Sequence, residues 1–367
     1  MADIEYQYNI IYIGEKTYCI LDWDILKQNI TFLESIDFEY FWFIAENLEP
    51  FFTSRTTTTK VYRTSKFRRY TQKSQKAPFH DLEIQRAAIQ LRTTYFHALE
   101  TLFTLISAML QAPICVYGWI QLSDTRELKN IIRDINEYKT FPMYLKNNWI
   151  TWEKISELIL SYVVFEDSQF KAEIVNGFSG FFTRLAHEFV SPAFSDEYNS
   201  IKHGFRIRSG GYALQIGIQE KMGVPAKAKD MRVLDQSEFG CSYLIYEKLN
   251  KGKRHYQFFR NHNNWSPDNL LWSLKLTSMA INNIVSWLLI NNGKNPEDVK
   301  FFYPDNTEIF KQAWISASRV GNLSFSMKQK IISEIVIPFT EEEMKEMYFH
   351  GKALGIKQVN IDNDRDE

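Results

Sequence analysis

Apolar side chains at Ile84, Ala88, Leu91, Tyr95, Ala98, Leu102, Leu105 and Met109 recur every three or four positions. That period puts them on one face of a long helix from about Asp81 to Leu110, stopped before Pro113. Further helices are expected at about Asp37–Leu48, Thr125–Tyr138, Trp152–Phe165 and Gln169–Val190, the first unusually aromatic and ended by Pro50. Ser191-Pro192 supplies a capping hydroxyl before a first-turn proline, so a new helix should start there and run to about His203, with Gly204 placed to end it. Ser266-Pro267 repeats the device, and Leu270, Leu274, Ile281, Val285 and Leu288 form the buried stripe of a helix ended by Gly293.

Elsewhere the period falls to two. Tyr6–Gly14 and Lys16–Asp22 read as a small hairpin turning at Gly14-Glu15. Tyr212, Leu214, Ile216 and Ile218, then Cys241–Tyr246, then Tyr256–Phe259 read as three strands of a small antiparallel sheet. A strand at Ile331–Ile337 and an acidic helix from Glu341 complete the pattern. The predicted fold class is mainly α: a helical bundle with a small antiparallel β insertion and an N-terminal hairpin/helix appendage. Its expected divisions are 1–53 (hairpin and aromatic helix), 54–78 (basic linker), 79–208 (bundle), 209–265 (β insertion) and 266–367 (closing helix, strand and acidic tail).

Composition fits a packed chain, with 45% hydrophobic residues, 15% aromatics and 24% charged residues over 367 positions. A formal net charge of -1 gives no whole-chain attraction to nucleic acid or membrane. Cys19, Cys115 and Cys241 are scattered and form no CxxC pair, so reduced, buried thiols are expected and a zinc ribbon or redox motif is not. Met1–Tyr8 carries acids where a secretory signal needs positive charge. The uncharged stretch between Glu100 and Asp124 is interrupted by Gln111, Pro113, Gly118 and Gln121, and reads as a buried helix end followed by a turn. A cytoplasmic protein that does not engage membrane is the expectation.

Glycine-rich phosphate loops, HExxH and GxSxG are all missing from the sequence, and His187-Glu188 has no second histidine four residues from the first. His187 reads as a bonded bundle residue. The chemically densest helical stretch is Tyr198-Asn199-Ser200-Ile201-Lys202-His203-Gly204-Phe205-Arg206. Asn199 and His203, four apart, share a face that Lys202 borders, and Arg206 follows the helix end. An amide, an imidazole and two cations can hold a phosphate and move a proton at neutral pH. The same residues also complement the dipole of a helix C-terminus.

Two basic clusters could add affinity for a phosphate backbone. Between Ser54 and Lys76 stand Arg55, Lys60, Arg63, Lys66, Arg68, Arg69, Lys73 and Lys76, with Tyr62, Phe67 and Tyr70 interleaved and no acid. Lys248, Lys251, Lys253, Arg254 and Arg260 form the second. Both are equally readable as solvated surface.

The Asn199…His203 spacing resembles the signature of the HEPN superfamily, Arg-Asn-x-x-x-His, with Tyr198 standing where that family has its arginine. The resemblance implies a helical bundle that acts on RNA, without metal or cofactor, as a homodimer that joins two such motifs, often in bacterial defence or toxin systems. Within it, His203 would be the acid/base, Asn199 its motif partner, and Lys202 with Arg206 the support for phosphate charge. Without the motif arginine, a non-catalytic RNA-binding or protein-interaction subunit is the alternative, as is a scaffold docking through exposed aromatics between Phe38 and Phe52. A second stretch, Arg92-Thr93-Thr94-Tyr95-Phe96-His97, satisfies a looser Arg-x4-His spacing. Five residues turn a helix by about 140°, so these two side chains should diverge.

Overall fold

The longest predicted helix is also the longest observed one among the described residues. The computed structural model describes residues 9–20, 23–53, 79–144, 149–203, 206–218, 221, 224, 226–227, 231–249, 255–311, 327–336 and 340–346. In chain order these form β1 (Asn9–Ile13), β2 (Lys16–Ile20), α1 (Trp23–Glu34), α2 (Tyr40–Leu48), α3 (Pro50–Thr53), α4 (Phe79–Gln111), α5 (Val116–Leu122), α6 (Thr125–Asn136), α7 (Trp152–Ile159), α8 (Ser168–Phe189) and α9 (Pro192–Lys202). Then come β3 (Ile207–Ser209), β4 (Ala213–Ile216), β5 (Arg232–Gln236), β6 (Gly240–Lys248), β7 (His255–Asn264), α10 (Pro267–Asn291) and β8 (Met327–Val336). Residues 341–346 are helical where the acidic helix was expected. The chain is mainly α.

The capping chemistry explains several helix starts. Ser191 accepts the N–H of Phe194 at 3.2 Å and Ser266 that of Asn269 at 3.5 Å, each just before a first-turn proline. At the other end of α10, Gly293 adopts φ +98, which costs glycine nothing and ends the helix.

The core lies between α4 and α10. Leu91, Tyr95, Ala98, Leu102, Leu105 and Met109 of α4 are buried, as the helical period required. α10 is buried almost along its whole length, including Asn282, Asn283 and Ser286. Those polar groups are satisfied: Asn283 donates to the Phe302 carbonyl and accepts the Phe302 N–H, both at 2.7 Å, while Asn282 and Ser286 donate to the Lys300 carbonyl. At the end of α4, Gln111 accepts the Gly14 N–H at 3.0 Å and donates to the Gly14 carbonyl at 2.8 Å, fixing the β1–β2 turn, where Gly14 has φ +58. α4 and α5 meet at a bend of 116°, so the uncharged stretch is a helix end and a turn, as expected, followed by a further short helix that was not. Only α10 is by itself long and apolar enough to cross a membrane among the described residues, and 83% of its apolar window is buried inside the protein, as in any core helix.

The β elements differ from expectation. β4 does not join β6 and β7; it pairs antiparallel with β5 in a separate two-stranded sheet. β6 and β7 sit between β3 and β8 in a sheet of order β3-β6-β7-β8, so the late strand is recruited from beyond α10. Alternation shows that a segment is extended and leaves its partner open. The helix expected to reach Phe165 stops at Ile159, and α1, α3 and α5 were not foreseen; Pro50 ends one helix and is the first residue of the next. Cys115 and Cys241 are buried free thiols, but Cys19 is exposed. Contacts divide the chain into two compact units, Met1–Tyr243 with His262–Met327, and Leu244–Asn261 with Lys328–Glu367.

Candidate functional site

α9 separates its residues by face. Phe194, Glu197, Ser200 and Ile201 point inward and are buried, while Asn199 and Lys202 are exposed. His203 is the C-cap residue, with its N–H donated to the Asn199 carbonyl at 3.0 Å and its side chain exposed. Arg206 is also exposed, and its N–H bonds the Ser200 carbonyl at 2.7 Å. The amide and imidazole of the motif are therefore one turn apart in solvent, next to Lys202.

Tyr198, in the position of the motif arginine, is held against α4. Its ring stacks on Phe96 at 5.0 Å, its hydroxyl donates to Glu100 Oε2 at 2.9 Å, and the His97 ring meets it edge-on at 5.7 Å. Lys202 Nζ lies 5.3 Å from the Tyr198 centroid. Partial burial, then the negative charge of Glu100, hold the phenol well above its usual pKa, so it remains a neutral donor. The two motif-bearing stretches thus converge at the α4–α9 seam: exposed His97 belongs to the same cluster as Tyr198 and Lys202.

Arg92 is turned into the core: it is 5% exposed where His97 is exposed, and its guanidinium lies 4.6 Å from the centroid of Phe96, the ring on which Tyr198 stacks. Its guanidinium grips Glu197 of α9 with two bonds, Nε to Oε1 at 3.1 Å and Nη2 to Oε2 at 2.9 Å, and Nη1 reaches Glu188 Oε1 at 3.3 Å. Tyr95 donates to the other Glu188 oxygen at 2.5 Å. Asn263 Nδ2 donates to Glu197 at 2.9 Å and to the Tyr243 hydroxyl at 3.0 Å, and the Cys241 thiol donates to Glu197 at 3.3 Å. Burial opposes the charge on Arg92, but Glu197 and Glu188 outweigh it and hold the pKa above the ordinary arginine value. Burial raises the Glu188 carboxyl despite Arg92 and the Tyr95 hydroxyl, and burial with Glu197 pushes up the Cys241 thiol. This hub ties the inner face of α9 to α4, α8 and the bases of β6 and β7. It positions the outer face and is itself largely buried, with Glu188 at its edge.

The remaining expected residues divide as follows. Arg55, Lys60, Arg63, Lys66, Arg68, Arg69 and Tyr70 of the first basic stretch, and Lys253 and Arg254 of the second, lie outside the described residues. His187 is exposed, which corrects its reading as a bonded bundle residue; a position next to a helix end on the outer face leaves it in solvent. Among the described residues no group of three His, Cys, Asp or Glu side chains is placed to hold a metal ion. An open hollow of about 490 Å³ is lined by Tyr138, Trp149 and Thr151, none of them a motif residue. Sequence reading missed Glu197 and Glu188. The available signal was an acid at 197 in register with the apolar positions Phe194 and Ile201, which demands a buried cation.

Compared with protein-family profiles, characterised proteins and solved structures, the chain finds no match.

Proposed function

We propose that this chain is a HEPN-like RNA-binding protein, in which Asn199, Lys202 and His203 on the outer face of α9, with Arg206 beyond it, hold the backbone of single-stranded RNA without cleaving it. The observation that carries this reading is the exposure of the amide and imidazole one turn apart beside a cation, with no guanidinium at position 198. The first property supports phosphate contact. The second argues against turnover, because Tyr198 is neutral and bound to Glu100, and Arg92 is consumed by Glu197 and Glu188.

One observation favours a second reading, metal-independent cleavage: the His203 imidazole is open to solvent and has His97 in the neighbouring cluster at the same seam. In that reaction His203 takes the 2′-hydroxyl proton as the oxygen attacks the adjacent phosphorus. The 5′-oxygen then leaves with a proton from a second acid, while Lys202 and Arg206 stabilise the phosphorane charge. A homodimer joining two such motifs would supply the second acid.

Labelled single-stranded RNA is incubated with the purified chain in EDTA, alongside His203→Ala and Lys202→Ala. The expected result is binding that weakens with salt and in both variants, with RNA length unchanged. Cleavage lost in His203→Ala selects the second reading, and binding indifferent to both variants overturns the α9 assignment.

A further inference from the structure

The smaller unit carries a surface of different composition. β6 and β7 are neighbours in the four-stranded sheet, and alternation puts Leu244, Tyr246 and Lys248 on one face of β6 and Tyr256, Phe258 and Arg260 on one face of β7. Ring contacts bring the two sets to the same side: Tyr246 lies 5.3 Å from Tyr256, edge-on at 75°, and 6.1 Å from Phe258. This side is open. Tyr246 is 64% and Leu244 53% exposed, Lys248 and Arg260 are exposed, and Tyr256 and Phe258 are half-buried.

The opposite face carries an ion pair. Glu247 points there and pairs with Lys328 of β8, whose ammonium sits 3.9 Å over the Phe259 ring. The six positions of the open face hold three aromatic rings, an aliphatic side chain and two cations, with no acid. An exposed apolar sheet face is a liability in water. Here the rings are interleaved with cations that have no acid beside them on this face of these two strands, which complements a ligand having flat apolar faces and a negatively charged backbone.

We infer that the Tyr246–Phe258 face of the β6–β7 strand pair is a binding platform for single-stranded nucleic acid, on which bases stack against Tyr246, Phe258 and Tyr256 while Lys248 and Arg260 meet the phosphates. Each ring offers a plane that any base can cover, so the platform tolerates sequence. Exposed Tyr246 provides the first stacking surface. Its neighbours, held partly in the sheet, set the spacing of the next bases. The inference does not depend on α9.

The full-length chain is titrated into fluorescein-labelled oligo(U) and oligo(dT), with an abasic oligonucleotide of equal length as control. Tyr246→Leu and Phe258→Leu keep apolar bulk and remove the plane, Tyr246→Phe keeps the plane, and Asn199→Ala with His203→Ala probes α9 separately. Expected are affinity losses of about fivefold to a hundredfold for each Leu variant, retention in Tyr246→Phe, weaker binding of the abasic strand, and circular dichroism matching the parent. Loss confined to the α9 variants, equal affinity for the abasic strand, or no binding of either oligonucleotide overturns the platform. So does a change of self-association in Tyr246→Leu without oligonucleotide binding, which assigns the face to a second copy of the chain. A Leu variant that loses its fold is replaced by Arg260→Gln, which must weaken binding and its salt dependence for the platform to stand.

Discussion

Glu197 carries a full set of partners in a site with no solvent: two bonds from Arg92, one from Asn263 and one from Cys241. A buried pair of this kind adds little net stability, because desolvating both charges offsets their attraction, but removing one partner strands the other. Arg92→Met is therefore expected to lower the unfolding free energy by about 3–5 kcal/mol. Arg92→Met combined with Glu197→Leu should cost less than the two single changes added together, as urea denaturation of the four proteins will show. Glu188 behaves differently. Burial raises its pKa above the ordinary 4.5 more than Arg92 and Tyr95 lower it. The folded chain then binds this proton more tightly than the unfolded one. The stabilising contribution is complete below the unfolded pKa and is lost as pH rises through the folded value. Relative to the parent, Glu188→Gln should flatten the decline of the denaturation midpoint as pH is raised from 4.5; parallel profiles would show that this carboxyl is not the titrating group.

A glycine at an interior helical position records how closely two elements approach. Gly177 lies within α8, where glycine costs about 0.5–1 kcal/mol against alanine. A Cβ there would come within 2.3 Å of the Phe310 ring, which belongs to the 3-10 turn Thr307–Lys311 packed on α8. Phe310 also meets Phe178 at 5.3 Å. Gly177→Ala should therefore destabilise the chain by about 1–3 kcal/mol despite its better helix propensity, while Gly180→Ala, with open space at its Cβ, should be neutral or stabilising. Thermal melts of the two variants separate packing from propensity. The same scale shows what was legible in the sequence. α4, α6, α8, α9 and α10 were located within a few residues of their observed ends, because period and caps are local properties. α7 ended early, at a Leu160 that is still buried but caps the helix with φ -94 and ψ 9, a backbone turn the apolar pattern did not mark, and α1 was missed. β5 lay in a stretch that alternation did not distinguish.

At the scale of the molecule, a net charge of -1 means that any affinity for nucleic acid is built from local arrangements. The two arrangements found here belong to different compact units, so their tests are independent. At α9 the shared face of Asn199 and His203 followed from their spacing, but its exposure and the fate of the two arginine positions did not. Tyr198 could be seen to replace a cation. That it would be fixed between Phe96, His97 and Glu100 required α4 to lie against α9. The open aromatic face of β6 and β7 was visible as alternating residues and a basic cluster, but not as one surface, since nothing in a strand names its neighbour.

What the sequence determined by itself is the long helices α4, α6, α8, α9 and α10, the serine-proline starts of α9 and α10, and the apolar face of α4. These depend on interactions between residues a few positions apart. The tertiary structure decided which charges are spent and which are free. The Arg92–Glu197 pair joins residues 105 positions apart. β8 reaches the β6–β7 sheet from beyond α10. Such contacts form only where packing of the whole chain brings the segments together, and each is chosen against many alternatives of equal local merit.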